Sequence, residues 1–380
     1  MSPEEKVAVQ VDGRTLTLTN LAKVLYPATG FTKAEVLSYY QQVAPVLLPH
    51  IAGRPLTLKR YPDGVDGEAF FAKHAPSHRP DWIRTVVVNS RSSRARGETV
   101  TYLLIDDLPG LIWVANLAGL ELHAPMWRLP GVGEVPDGPE REPNLLVFDL
   151  DPGLPATVVE CCRVAQDLRP LLRADGLEPL AKTSGGKGMQ LYARIDGLTA
   201  EQASDLAREY AERLERADPK RVTSRMTKAL RTGRVFIDWS QNNGKKTTVA
   251  PYSLRAREHP TVSTPVTWEE VAGCKEVADL FFTADDLPAR IAAHGDLFAP
   301  LLLTAPRPRP AQRLVGVRKV CRGSLDSAAR PGYIAETFRT AETIIAAEIN
   351  ATVLAVYYPQ CREVSAIRKV SAIGKRDIYR

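Results

Sequence analysis

Leu145-Leu-Val-Phe-Asp-Leu-Asp-Pro152 decides how this chain folds. Four apolar residues stand between Pro143 and Pro152-Gly153, the pattern of a short buried strand, and the run ends in two carboxylates one residue apart. Residues i and i+2 of a strand face the same way, so Asp149 and Asp151 project together while Phe148 and Leu150 turn into the core. Carboxylates held that closely repel one another unless a cation or a shared proton intervenes. Hard oxygen donors of this kind suit Mg²⁺ or Mn²⁺. The same letters could instead form an Asp-x-Asp-Pro-Gly turn that caps the next helix, since Asp, Pro and Gly are common turn formers. Val235-Phe-Ile-Asp238 repeats the pattern of an apolar strand ending in a carboxylate. Three strand-end carboxylates make a template for phosphoryl transfer with two ions about 4 Å apart. Phosphatases, nucleases and polymerases share it, so the trio names a chemistry and leaves the substrate open.

On either side of this strand, helical and strand periodicities interleave. Thr157 to Leu168 and Thr199 to Ala217 read as amphipathic helices, and Gln190 to Arg194 reads as a strand between them. Thr32-Lys-Ala-Glu35 has capping-box spacing ahead of an apolar-periodic run through Leu48. The expected class is α/β with a mixed sheet. Thr183-Ser-Gly-Gly-Lys-Gly188 lies just before the Gln190 strand, and its glycines free backbone N–H groups to converge on an anion. A Walker loop would need Gly at 181 and Ser or Thr at 188, where this chain has Ala181 and Gly188. A plain tight turn and a triphosphate cradle both remain open for it.

From Pro219 to Arg257 there are ten basic residues, among them Arg231, Arg255 and Arg257, and the single acid is Asp238. Charge so one-sided suggests phosphate contacts, whose affinity falls with salt. Arg84, Arg91, Arg94 and Arg96 form a second, looser group. The alternating Pro306-Arg-Pro-Arg-Pro310 reads as an extended linker. The expected organisation is therefore a body over 1–304, a Pro-rich linker over 305–312 and a basic tail over 313–380. Pro130 to Pro139 is a loop-rich divider inside the body. In the tail, Tyr333 to Ile349 reads as helix and Thr352 to Tyr358 as strand.

The 380 residues are 44% hydrophobic and 25% charged, a globular composition. No stretch reaches the ~20 apolar residues of a membrane span, and the first residues do not have the pattern of a secretory leader. Five cysteines, with Cys161 and Cys162 adjacent, point to a reducing compartment. The net charge is +6, and from Arg313 onward twelve Lys/Arg face six Asp/Glu, so the remainder of the chain is formally neutral. Attraction to nucleic acid must then come from the tail or from local clusters.

Seven ordered blocks resemble the polymerase domain of bacterial DNA ligase D, of the archaeo-eukaryotic primase superfamily. They are Thr19-Asn-Leu-Ala-Lys-Val-Leu-Tyr-Pro27, Lys59-Arg-Tyr-Pro-Asp-Gly64, Phe70-Phe-Ala-Lys-His-Ala-Pro76, Trp113-Val-Ala-Asn-Leu-Ala-Gly-Leu-Glu-Leu-His123, Phe148-Asp-Leu-Asp-Pro152, Ser184-Gly-Gly-Lys-Gly188 and Asp238-Trp-Ser-Gln-Asn242. The resemblance runs from about Thr17 to about Leu303. It implies a primase-polymerase core with an N-terminal subdomain, beside which the basic C-terminal extension has no match. By the resemblance, Asp149, Asp151 and Asp238 hold two Mn²⁺ or Mg²⁺ ions. Ser184, Lys187, His123, Arg255 and Gln241 take the nucleotide. Asn20, Lys23 and Lys33 hold the 5′-phosphate of a downstream strand, Lys59 and Arg60 position DNA, and Phe70 and Phe71 stack on a template base. From the basic segment, Arg231 and Arg257 are expected to contact DNA as well. The family has histidine where this chain has Gln190, and glutamine cannot carry a proton charge. No Lys-x-Asp-Gly adenylation tetrapeptide occurs, so a stand-alone polymerase is expected.

The resemblance implies template-directed nucleotidyl transfer from NTPs or dNTPs at gapped or broken DNA, in bacterial end joining with Ku and a DNA ligase as partners. It places the protein in the cytoplasm, at the nucleoid, with no membrane. Two alternatives remain at this point: a catalytically weakened DNA-end-binding module and a metal-dependent nuclease.

Overall fold

The computed structural model describes residues 6–89, 99–129 and 142–303. The Pro130–Pro139 loop, Arg91, Arg94, Arg96, the proline linker and the whole tail lie outside the described residues.

The first hairpin pairs β1 (Lys6–Val11) with β2 (Arg14–Thr19), and a smaller one pairs β3 (Val24–Tyr26) with β4 (Phe31–Thr32). The capping box forms as its spacing predicts: Glu35 N–H donates to Thr32 Oγ1 at 3.3 Å and Thr32 N–H to Glu35 Oε2 at 2.7 Å. It opens α1 (Lys33–Ile51), which runs a few residues beyond Leu48. There follow β5 (Thr57–Arg60), β6 (Phe70–Ala72), β7 (Thr85–Asn89), β8 (Thr99–Leu103), α2 (Leu108–Asn116) and β9 (Gly119–Pro125). The second half contributes β10 (Leu145–Pro152), α3 (Val158–Ala174), β11 (Leu180–Thr183), β12 (Met189–Arg194), α4 (Ala200–Ala217), β13 (Val222–Thr223) and β14 (Val235–Asp238). After them come β15 (Thr247–Val249), β16 (Pro265–Val266), α5 (Trp268–Gly273) and α6 (Leu287–His294).

Two sheets carry the site. One is six-stranded in the order β13-β14-β10-β12-β11-β16, with β13–β14 parallel and every other pair antiparallel, so the sheet is mixed as expected. The other is four-stranded in the order β15-β9-β5-β6. On β10, Leu146, Phe148 and Leu150 are fully buried in one apolar cluster with Cys161, Leu168 and Leu172 of α3 and Ala207, Tyr210 and Ala211 of α4. Burying a side chain such as Phe148 contributes roughly 2–3 kcal/mol. The alternate residues of β10 thereby face away from those helices. A second cluster joins α1, α2, β5 and β9 to Ala250, Tyr252, Leu254, Val262 and Leu287. The N-terminal subdomain is thus discontinuous in sequence: the chain returns to it after the six-stranded sheet is built, bringing Arg255 with it. Cys161, Cys162 and Cys274 are free thiols. No helix among the described residues is long and apolar enough to cross a membrane.

Candidate active site

The register of the six-stranded sheet assembles the acidic trio. Asp149 lies opposite Asp238 on β14 and opposite Gln190 on β12, and Lys182 on β11 extends the row by pairing with Gln190. Asp151 stands two residues along on the same face as Asp149. The capping-turn reading fails, because β10 stays extended through Pro152 and α3 takes its N-cap from Thr157.

Hydrogen bonds hold these carboxylates. Gln190 Nε2 donates to Asp149 Oδ1 at 3.0 Å, and Tyr192 OH donates to Gln190 Oε1 at 3.3 Å while meeting Thr248 Oγ1 at 2.7 Å. Asp238 is turned onto its own 3₁₀ turn, accepting from Ser240 N–H at 3.1 Å and from Gln241 Nε2 at 2.9 Å. Removal from water, and then the Asp151 charge, push Asp149 up to about 7; burial also raises Asp151, against the pull of Lys187. Among the described residues no three such groups form a ready-made ion cage, and Asp238 accepts from the Ser240 hydroxyl and Gln241 Nε2. The donor set nevertheless fits a hard divalent cation: two carboxylates share one face, a third faces them across the strand pair, and their mutual repulsion is what such an ion relieves.

The Ser184–Gly188 loop joins β11 to β12, so it is a hairpin turn beside the acidic row, with no helix following. Ser184 Oγ accepts from Gly186 N–H and Gly188 N–H, both at 3.2 Å, which gathers two amides at one point. Gly185 has φ +64°, and a Cβ there would lie 2.5 Å from Arg255 Cγ, so glycine is required for both backbone and packing. Arg255 Nη1 donates to Ser184 O at 3.1 Å, and Arg257 overhangs Gly186. Lys187 is exposed and its charge acts on Asp151.

The four-stranded sheet supplies the other wall. His123 on β9 is 14% exposed and its Nε2 lies 2.9 Å from Glu121 Oε2. Burial lowers the His123 pKa, with Glu121 opposing. Phe71 and His123 rings are 6.1 Å apart, and Lys59 Nζ sits 5.5 Å from the Phe71 ring, so Lys59 turns toward His123. Arg60, its strand neighbour, docks its Nε on Leu117 O at 2.9 Å. Phe70 and Phe71 are 48% and 63% exposed, which removes a core role.

Asn20, Lys23 and Lys33 do converge. Lys23 N–H donates to Asn20 O at 3.0 Å and Lys33 N–H to Lys23 O at 2.8 Å, with Asn20 in the left-handed region at φ +52°. Their side chains differ: Lys23 pairs with exposed Asp63 at 3.0 Å, whereas Lys33 is buried and donates to Thr19 O at 2.6 Å. The basic segment is also less one-sided in space than in sequence. Arg221 pairs with Asp218 and Asp167, Arg225 with Glu215 and Arg255 with Glu121. Arg231 stacks over Phe236, its guanidinium 3.7 Å from the ring centroid, and its charge reaches Asp151.

Three residues escaped the sequence reading. Glu121 is 2% exposed at the centre of the His123–Arg255 contacts, and the Glu-Leu-His alternation on one strand was the available signal. Lys182 is fully buried, its ammonium donating to Ser263 Oγ at 2.5 Å and its pKa lowered by burial. Tyr192 supports Gln190 from behind. Nothing in the sequence signals these last two, because strand register alone brings them to the row.

A family model described as LigD, primase-polymerase domain, matches residues 32–298. The multifunctional non-homologous end joining protein LigD of Mycolicibacterium smegmatis is 48% identical over 290 residues, which are 76% of this chain and 36% of that protein. The bifunctional LigD of Bacillus subtilis is 29% identical over 282 residues, 74% of this chain and 43% of that protein. The chain thus spans well under half the length of these curated relatives. Among solved structures, the polymerase domain from Mycobacterium tuberculosis Ligase D in complex with DNA is similar at a TM-score of 0.70 and 48% identity, covering 77% of this chain and 99% of that one.

Proposed function

The chain belongs to the LigD primase-polymerase family, and from that premise we propose that it is a DNA-directed nucleotidyltransferase of non-homologous end joining. It fills gaps and extends broken ends whose downstream strand carries a 5′-phosphate, drawing on NTPs or dNTPs. One observation carries the reading: Asp149, Asp151 and Asp238 share one sheet face beside a glycine–lysine hairpin that Arg255 ties to the opposite wall.

Asp149, Asp151 and Asp238 would hold two Mn²⁺ or Mg²⁺ ions. Such ions, when bound, neutralise the charge that develops as a primer 3′-hydroxyl displaces pyrophosphate from the α-phosphate. Ser184, Lys187 and Arg255 bind and orient the triphosphate, with Arg257 close enough to join them, and His123 flanks the sugar. Gln241 acts through Asp238, whose carboxylate it holds. Phe70 and Phe71, exposed on β6, stack on an unpaired template base, an interaction worth about 1–3 kcal/mol per base. Asn20 and Lys23, with Lys33 bracing them, take the 5′-phosphate. Arg231 and Lys59 steer DNA toward the carboxylates. Ku and a DNA ligase are the partners this reading implies, and the bacterial cytoplasm, at the nucleoid, is its location.

The test is extension of a labelled primer on gapped DNA bearing a downstream 5′-phosphate, with Mn²⁺ and nucleotide. Lengthening without loss of input strand supports the proposal. Shortening indicates a nuclease. DNA binding with neither outcome indicates an end-binding module, the reading favoured if Gln190, at a position where the resemblance expects histidine, has cost the site its activity.

A further inference from the structure

We propose that Glu121 is a positioning residue for the nucleotide, a buried anion that aligns His123 and Arg255 on the wall facing the triphosphate. The inference rests on the nucleotide-binding reading of those two residues.

Glu121 and His123 are i and i+2 on β9 and face the same way, and Lys59 stands opposite Glu121 in the β5–β9 register. Oε2 of Glu121 meets His123 Nε2 at 2.9 Å, and Oε1 accepts from Ala256 N–H at 3.2 Å and lies 3.4 Å from Arg255 Nε. One carboxylate therefore faces Lys59, His123 and Arg255 from three separate segments. Burial would raise its pKa, but the His123 hydrogen bond and the Arg255 and Lys59 charges outweigh it and hold the group at about 2, ionised at any working pH. The layering fits a supporting role: the Glu121 side chain is 2% exposed, while His123 and Arg255 are 14% and 16% exposed. The Arg255 guanidinium and the His123 ring are more exposed than the anion behind them, so a bound polyanion meets them before the carboxylate. Through Arg255 Nη1 and Ser184 O the same carboxylate is coupled to the glycine–lysine hairpin of the other sheet. Arg255 Nε is buried without a hydrogen-bonded partner among the described residues, so Glu121 restrains it by charge across 3.4 Å. A guanidinium held this way loses its alignment when the charge is removed, even if volume is conserved.

Glu121→Gln and Glu121→Asp separate charge from shape. Binding of an Mn²⁺-loaded ribonucleoside triphosphate to the full chain, measured at equilibrium without DNA, should weaken about tenfold in Glu121→Gln, the scale of one charge-assisted hydrogen bond. Glu121→Asp should recover part of the loss. In primer extension the Glu121→Gln defect should appear in the nucleotide KM, with kcat at saturation and affinity for 5′-phosphorylated gapped DNA unchanged. A nucleotide Kd equal to wild type in Glu121→Gln would overturn the inference, as would a fall in kcat and melting temperature at unchanged KM, which marks a packing role. Wild-type protein that binds no nucleotide would overturn the parent reading and this one together, whereas normal wild-type binding with an indifferent Glu121→Gln rejects this one alone.

Discussion

Asp149 shows how a single residue can serve a site at the expense of the fold. Its pKa, displaced from 3.8 to about 7 by burial and then by Asp151, means the folded chain holds this proton more tightly than the unfolded chain does. Between these values the folded state binds more protons, so stability should fall as pH rises from about 4 to about 7 and stay low above that. Asp149→Asn removes the penalty. Melted in chelator at pH 8, this variant should be more stable than wild type, and Mn²⁺ should raise the melting temperature of wild type alone. Both Asp149→Asn and Asp151→Ala should lose primer extension while still binding DNA; near-wild-type extension by either would sink the metal assignment. Lys23 offers a second contrast at this scale. Its ammonium sits on exposed Asp63, a pairing of little net worth in water, so a phosphate can displace it. Lys23→Ala should weaken binding to gapped DNA by about tenfold when the downstream strand is phosphorylated, the scale of one charge-assisted contact. On the unphosphorylated strand it should have little effect. An equal loss on both would indicate general electrostatics. Lys33→Ala differs, because that buried ammonium anchors Thr19 O and its removal should also lower the melting temperature.

At the level of elements, the site depends on how closely β12 approaches β10. A Cβ on Gly188 would lie 2.2 Å from the backbone oxygen of Leu150, between Asp149 and Asp151 in sequence. Backbone cannot swing aside as a long side chain can, so Gly188→Ala should force the hairpin and the acidic strand apart. The expected result is a loss of several kcal/mol of stability, in line with other overpacking and backbone clashes. Any protein that folds should have a raised nucleotide KM. Denaturant unfolding and extension kinetics measured together check this, and an unchanged midpoint would show that β10 has slack the packing does not reveal. The helices behind the sheet were easier to read. Thr199 to Ala217 carries Ala203, Leu206, Ala207, Tyr210, Ala211 and Leu214 on one buried stripe, the 3.6-residue period expressed directly.

For the molecule as a whole, charge is the open quantity. The body is formally neutral, and three of its conspicuous arginines, Arg221, Arg225 and Arg255, are compensated by carboxylates near them in space. The twelve basic and six acidic residues from Arg313 onward carry the whole formal excess. A chain ending before Arg313 should therefore extend primers normally yet bind DNA more weakly, with a shallower dependence of log affinity on log salt. Titration against labelled DNA at several salt concentrations measures the slope. An unchanged slope with a lower melting temperature would assign the tail a structural role instead.

Local periodicity and the ordered blocks were enough to identify the class, the strand carrying Asp149 and Asp151, the Thr32 and Thr199 helix starts, and the family. Each of these depends on residues close in sequence, where side-chain alternation, capping and turn chemistry act. Tertiary structure alone decided the rest. Strand register set Asp238 opposite Asp149 and brought Lys182 and Gln190 into their row. The return of Ala250–Leu287 to the first core brought Arg255 to Glu121. Pairing across a sheet joins residues tens to hundreds of positions apart, and a single-residue slip would turn every side chain to the other face, so no local pattern encodes which partners meet.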